Sequence, residues 1–258
     1  MDIGLLQSQM RCEGVSFVSV PVTASTNADV KSLAQKGASE GLVYFADSQT
    51  LGRGRLGRSF FSPEESGLYM SILLRPNPDD FDVSKITCGA AVAAAHAIEC
   101  TSDASPAIKW VNDILVDGKK VCGILAESAT NQSGDIAFVV LGIGINLCPP
   151  LGGFPKEISG VAGAVFCAPQ SDFVKAKLAA ELLNEFFSLY RQNDTNDILT
   201  QYRKRCCVTG KDIWVISNGA KKEAHSLYID DEFRLVVRYS DGSVEPLSYG
   251  EMSVRPLT

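Results

Sequence analysis

Gly52-Arg53-Gly54-Arg55-Leu56-Gly57-Arg58 is the stretch on which the fold assignment turns. Gly52, Gly54 and Gly57 satisfy G-x-G-x-x-G, the spacing of a dinucleotide-binding turn. That turn works only when its last glycine opens a helix whose N-terminus faces a pyrophosphate. The next residues, Ser59-Phe60-Phe61-Ser62-Pro63, do not start a helix, and no acidic residue sits at the right distance in a following strand. A doubly wound dinucleotide fold is rejected. A phosphate loop, Gly-x4-Gly-Lys-Ser/Thr, occurs nowhere in the chain. The stretch does support an anion cradle. Glycine lets backbone approach a ligand closely, and arginine offers forked donors matched to carboxylate or phosphate. Taken alone, a solvated basic loop fits the same residues.

Working outward, Ser25-Thr26-Asn27 before Ala28–Gln35 and Gly37 reads as a capped helix with a glycine stop. Gly41–Ala46 and Gly67–Arg75 read as strands, the second closed by Pro76 and Pro78. Ser84 is the expected cap of an alanine-rich helix, Lys85–Glu99. Ile108–Trp110, Ile114–Val116, Val121–Ala126 and Ile136–Leu147 are further strands, with a turn at Asp117-Gly118. Gly152–Gln170, rich in glycine and proline, reads as a loop. Asp172–Arg191 has one wide apolar stripe and reads as an amphipathic helix. After Val208 the texture changes to short strands around Asn218-Gly219, Asp230-Asp231 and Asp241-Gly242, dipeptides that join hairpins. The expectation is an α+β protein: a domain over 1–208 with a mixed sheet flanked by helices, and a small β-module over 209–258.

The chain has 258 residues, 45% of them hydrophobic, and a net charge of −6. That composition is ordinary for a soluble globular protein, and the length suffices for a core without disulfides or metal. An acidic total argues against a nucleic-acid coat, which needs positive charge near phosphates. Eight cysteines contain no Cys-x-x-Cys pair, and only His96 and His225 could assist them, so a zinc site is not expected. Most of these cysteines read as small buried hydrophobes, and no Cys–His pairing follows from spacing. No run approaches the roughly 20 apolar residues of a membrane span, and Met1–Met10 lacks the pattern of a signal peptide. A reducing, cytoplasmic location is expected.

Two more features carry chemistry. Lys109-Trp110-Val111-Asn112-Asp113 lies between strands and is followed by Lys120-Val121-Cys122-Gly123-Ile124-Leu125. A plain turn would also favour Asn112 and Asp113; the functional alternative has Asp113 holding a divalent cation and Lys120 pointing into a pocket. Leu141-Gly142-Ile143-Gly144-Ile145-Asn146-Leu147 puts glycines inside an apolar strand, marking a bulge or the close approach of a ligand or backbone.

The order of these features resembles the biotin–protein ligase family, the holocarboxylase synthetases. The resemblance runs from about Val20 to Arg255. It is carried by Ser25–Asn27, Gln49 with Gly52–Arg58, Lys109–Asp113, Lys120–Leu125, Gly142–Asn146 and the final Gly250–Arg255. It implies a class II synthetase-like catalytic domain with a C-terminal Src-homology-3-like β-barrel. The implied activity joins biotin to a lysine of a carboxylase's biotin carboxyl-carrier domain. ATP and Mg²⁺ are required, and biotinyl-AMP is the intermediate. Biotin contacts would come from Ser25, Thr26, Asn27, Gln49, Gly52, Arg53, Gly54, Arg55, Lys120, Gly123 and Gly142. Adenylate contacts would come from Arg55, Arg58, Trp110, Asn112, Asn146 and Arg255. Lys120, Arg55 and Asp113 are the implied catalytic residues, with Asp113 also the magnesium ligand.

The family has proline where this chain has Val111, which puts local rigidity in question. The ligase-like sequence begins within about the first 20 residues, so no DNA-binding helix-turn-helix and no DNA partner are expected. A homodimer is compatible with the resemblance. Lipoate–protein ligases and octanoyltransferases share the fold and are the near rival. A nucleic-acid module built on the Arg53–Arg58 loop is the rival of another class.

Overall fold

In a computed structural model of the chain, the described residues are 1–77, 82–217 and 219–248, with backbone alone for 252–256. Seven strands form the main sheet: β1 (Ser16–Thr23), β2 (Leu42–Gln49), β3 (Gly67–Leu74), β4 (Ala107–Lys109), β5 (Asp113–Val116), β6 (Lys119–Thr130) and β7 (Ile136–Asn146). Their order is β1-β2-β3-β7-β6-β5-β4; β1 and β2 are parallel and every other ladder is antiparallel, so the sheet is mixed as expected. The β5–β6 hairpin turns at Asp117-Gly118, both at positive φ (50° and 72°). That is the conformation those residue types favour in a tight hairpin.

Helices cover the sheet unequally. α2 (Thr26–Gln35) packs on one face through Val30 and Ala34, against Leu73, Phe138 and Val140. The other face carries the larger core under α3 (Val83–Thr101) and α5 (Asp172–Gln192). Ala90, Ala91, Ala93, Ala94 and Ala97 of α3 are fully buried. Such short side chains let Phe186 and Phe187 of α5 close on it, and close packing maximises dispersion contact.

Several expectations need correction. The cap of α3 is Asp82, not Ser84: the Asp82 carboxylate accepts the Ser84 N–H at 2.7 Å, and the helix runs to Thr101. Sequence reading missed a short α1 (Ile3–Gln7), strand β1 and α6 (Thr195–Arg205). Gly152–Gln170 is not a bare loop. It holds the one-turn α4 (Lys156–Ser159), then clasps the start of β6: Val161 O accepts from Lys120 N at 2.7 Å, and Gly163 N donates to Lys120 O at 2.8 Å. All eight cysteines are free; Cys88, Cys122 and Cys148 are buried, whereas Cys100 and Cys167 are exposed. His96 and Cys100 do pair, Nε2 to Sγ at 3.4 Å, because four residues make one turn of α3.

β8 (Asp212–Ser217), β9 (Ala220–Ile229), β10 (Leu235–Tyr239), β11 (Val244–Leu247) and β12 (Met252–Pro256) form a second, antiparallel sheet in the order β11-β10-β9-β8-β12. This is the expected Src-homology-3-like module. Ile213, Val215, Phe233, Leu235 and Val237 belong to the same continuous core cluster as α3 and α5. Trp110 Nε1 donates to Phe233 O across the junction at 3.0 Å. No described helix is long and apolar enough to cross a membrane.

Candidate active site

A cleft opens on the α2 face of the main sheet. Its floor is bare of side chains where Gly123 of β6 pairs across the ladder with Gly144 of β7, with Gly142 two residues on. The glycines are filled from within the chain rather than left open for a ligand. A Cβ on Gly144 would stand 2.5 Å from the Phe60 ring, one on Gly123 3.1 Å from Lys120 Nζ, and one on Gly142 would collide with the Asn27 amide.

The first wall is a neutral hydrogen-bond network. Ser25 ends the chain's extended run into α2, but its side chain makes no capping bond. Gln49, last in β2, does that work: its Oε1 accepts from Thr26 N (2.9 Å) and Thr26 Oγ1 (3.1 Å), while its Nε2 donates to Ser62 Oγ (2.9 Å). Ser71 Oγ lies 2.7 Å from Thr26 Oγ1 and 2.6 Å from Asn27 Oδ1. Thr26, Asn27, Ser62 and Ser71 are all buried, so these bonds fix their orientations, and Ser25 is buried beside them.

The arginine–glycine stretch folds as a tight reverse loop. Phe60 N donates to Gly52 O at 2.9 Å and Gly54 N to Arg58 O at 2.7 Å. Arg55–Gly57 is a single 3-10 turn, with Leu56 and Gly57 at positive φ (55° and 72°), so no helix starts here. Gly52 is dictated by space: a Cβ would run into the Phe60 carbonyl. The loop aims Arg53, Arg55 and Arg58 at the cleft, where Lys109 and Lys120 join them. Against these five cations Asp113 is the one carboxylate among the described lining residues. A cleft of one sign with low-dielectric walls focuses its field on an anionic ligand.

The Trp110-Val111-Asn112-Asp113 segment forms the far wall. Its rigidity, in question with Val111 in place of proline, comes from its partners. Val111 is fully buried and accepts from Tyr202 Oη at 3.1 Å, while Asn112 accepts from Ile124 N at 3.0 Å and donates through Nδ2 to Ile124 O at 2.8 Å. The Trp110–Val111 peptide bond is cis. Asn112 Oδ1 accepts from Arg55 Nη1 at 3.1 Å, latching the loop to this wall. Lys120 Nζ lies 2.6 Å from Asp113 Oδ1. Burial holds the Cys122 thiol far above its ordinary range, so this neighbour of Lys120 contributes no thiolate.

Of the residues singled out from sequence, Ser25, Thr26, Asn27, Gln49, Arg53, Gly54, Arg55, Arg58, Trp110, Asn112, Asp113, Lys120, Gly123 and Gly142 line this one cleft. Gly52 stands just behind it, shaping the loop. Asn146 does not reach it: its amide donates to Gly163 O at 2.9 Å, tying β7 to the segment after α4. Trp110 lines the cleft, but its N–H is held by Phe233. The Arg255 side chain lies outside the described residues; its backbone pairs with Trp214.

Three residues were missed. Glu127 of β6 accepts from Asn27 Nδ2 at 2.7 Å and pairs with Arg53 Nη1 at 3.3 Å, bridging the neutral wall and the loop. Phe60 covers the glycine floor, with Lys120 Nζ 6.0 Å from its ring centroid. Ser71 links Thr26 to Asn27. Strand alternation could have found Glu127, since it shares a face with Gly123 and Leu125.

Known proteins resemble this chain in sequence and in fold. The sequence pattern of the biotin/lipoate A/B protein ligase family matches residues 19–146. The bifunctional ligase/repressor BirA of Bacillus subtilis is 35% identical over 183 residues, which are 71% of this chain and 56% of that protein. The chain thus spans little more than half the length of that relative. The biotin–[acetyl-CoA-carboxylase] ligase of Mycobacterium tuberculosis is 31% identical over 84% of this chain and 80% of its own length. The structure of the biotin protein ligase from Aquifex aeolicus, in complex with biotin and ATP, superimposes with a TM-score of 0.78. It covers 94% of this chain and 99% of its own at 23% identity, a likeness of fold. By its sequence match to a relative covered over most of that protein's length, the chain belongs to the biotin/lipoate A/B protein ligase family.

Proposed function

We propose that this chain activates biotin with ATP and transfers it to a lysine of a biotin carboxyl-carrier domain of a carboxylase. One observation carries the reading: a single cleft joins a buried, neutral hydrogen-bonding wall to a cluster of five cations. Biotin has the matching polarity, with a neutral ureido ring and an anionic carboxylate. The names and ligands of the relatives support biotin over lipoate.

In the first step a biotin carboxylate oxygen attacks the α-phosphorus of ATP. The bond to the bridging oxygen breaks, leaving biotinyl-AMP and pyrophosphate. The obstacle is repulsion, since two unit charges 4 Å apart oppose each other by about 4 kcal/mol at an effective dielectric near 20. Lys120, Arg55 and Arg58 offset that repulsion, and fixed donors need no reorganisation as charge moves. Thr26, Gln49 and Asn27 hold the ureido ring, with Ser25 shaping their wall. Arg53 and Arg55 close the loop over the bound ligands, and Asn112 with Arg58 faces the adenylate. In the second step the neutral amine of the carrier lysine attacks the acyl carbon, AMP departs, and one amine proton passes to solvent.

Magnesium accompanies ATP in such reactions, but the residues here do not fit a protein-held ion. Among the described lining residues Asp113 is the one carboxylate, and it already holds Lys120 at 2.6 Å, so a cation there would have to displace an ammonium. Asp113 is instead the residue that aims Lys120 until the biotin carboxylate takes over that charge.

The test incubates the chain with ATP, magnesium, biotin and a carrier domain, and weighs the carrier. The expected result is a carrier heavier by one biotinyl group, with the rate cut more than roughly 100-fold in Lys120→Ala, in line with loss of a charge-stabilising donor. No gain on a competent carrier overturns the reading; gain with lipoate on a lipoyl domain instead transfers it to the other branch of the family.

A further inference from the structure

On the opposite face of the main sheet from the cleft, α3 and α5 bring a second group of reactive side chains together. His96 and Cys100 stand one turn apart on α3, with Nε2 3.4 Å from Sγ. Glu181 of α5 faces them, and the three donor atoms all lie within 4.8 Å of one another. The ligase reading uses none of these residues. We infer that this seam is a binding site for a borderline-soft divalent cation, with zinc its natural occupant.

The donor set is the first argument. Imidazole nitrogen, thiolate sulfur and carboxylate oxygen are the ligands zinc takes, and three of them leave a fourth position for water. Spacing is the second. Zn–S of about 2.3 Å and Zn–N of about 2.0 Å, at the tetrahedral angle, put the two donors about 3.5 Å apart. The 3.4 Å between Nε2 and Sγ is already that edge. Rigidity is the third, because both helices are long and packed on each other, so little order has to be created on binding. Glu181 needs only a side-chain adjustment to close the triangle.

Carboxylates outnumber cations around the seam: Glu181, Glu99 and Glu185 stand near Cys100, against Lys177 and Arg11. On binding, the thiol gives up its proton to solvent and the thiolate takes the metal. Arg11 is the competitor. Its Nη1 and Nη2 hold the two oxygens of Glu181 at 3.1 and 2.7 Å. Metal and guanidinium claim one carboxylate, so the metal loads as Arg11 lets go.

Zinc titration of the full chain, read by competition with a chromogenic chelator and by the thiolate-to-metal absorption of Co²⁺, tests the site. One ion per chain is expected. His96→Ala and Cys100→Ser should each weaken binding by more than the roughly 10-fold that loss of an outer hydrogen-bond partner costs a metal site. Arg11→Ala should tighten it, and biotin transfer by the metal-free variants should match the parent. Metal-free melting curves like the parent's control for folding. No one-to-one complex, a complex that survives both ligand substitutions, or weaker binding in Arg11→Ala overturns the inference.

Discussion

Glu127 shows how one side chain can set a wall and a loop at once. Its two oxygens divide their work: Oε2 fixes which way the Asn27 amide points, and Oε1 holds Arg53 over the cleft. Ser71 donates to the other end of the same amide. Truncation would leave the Asn27 N–H₂ group buried without its acceptor, which costs about 1–3 kcal/mol. Glu127→Ala is therefore expected to raise the KM for biotin roughly 10-fold, taking about 1.4 kcal/mol per decade. Glu127→Gln keeps an acceptor for Asn27 and loses only the exposed pair with Arg53, so its effect should be several-fold smaller. Steady-state kinetics with biotin varied decides this; equal effects of the two substitutions would show that Arg53, not Asn27, is what Glu127 serves. The residue was hidden from motif reading because Lys120–Leu125 is recognisable as a block and Glu127 falls two positions beyond it. Asn146 is the converse case. It sits inside a recognisable block, and its amide donates to the Gly163 carbonyl.

Elements were legible where apolar period and punctuation agreed. The central strands, the Asp117-Gly118 turn and α5 are all of that kind. α6 was missed because only Ile198, Leu199 and Tyr202 are buried, too thin a stripe for a periodicity argument. Asp194, accepting from Asn196 N and Asp197 N, was the available signal. β1 contains Pro21, which argues against a central strand, and β1 lies at the sheet's edge. The glycines of β7 were legible as a close approach, yet their occupant was not. Phe60 reaches them from a loop 84 positions away from Gly144, a pairing no local pattern encodes. Gly144→Ala should then force the Phe60 ring aside and lower stability by about 1–3 kcal/mol, the usual cost of overpacking. Combining it with Phe60→Leu should recover part of the loss. Urea denaturation of the two single variants and the double variant measures the coupling. Strict additivity would mean that the ring does not press on that floor.

At the scale of the whole molecule, a net charge of −6 conceals a cleft whose described lining residues carry five cations and one carboxylate, with Glu127 paired to Arg53 behind them. Total charge is therefore a poor guide to what the site binds. The second, smaller sheet was legible from the change to short strands, but not how closely it joins the first. Their hydrophobic side chains form one continuous cluster, and Trp110 ties the cleft wall to Phe233. The two sheets should therefore unfold together. The chain's two tryptophans report on one side each, Trp110 in the cleft wall and Trp214 in β8. Trp110→Phe removes the donor to Phe233 O and should cost about 1–3 kcal/mol, while leaving Trp214 as the sole fluorophore. Trp214→Phe leaves Trp110 in that place. In each variant the fluorescence melt should coincide with the far-ultraviolet circular dichroism melt, as a two-state transition requires. If Trp214 instead reports an earlier transition than the circular dichroism of the same variant, the small sheet melts by itself. The shared core would then be contact between two independent units rather than one cooperative structure.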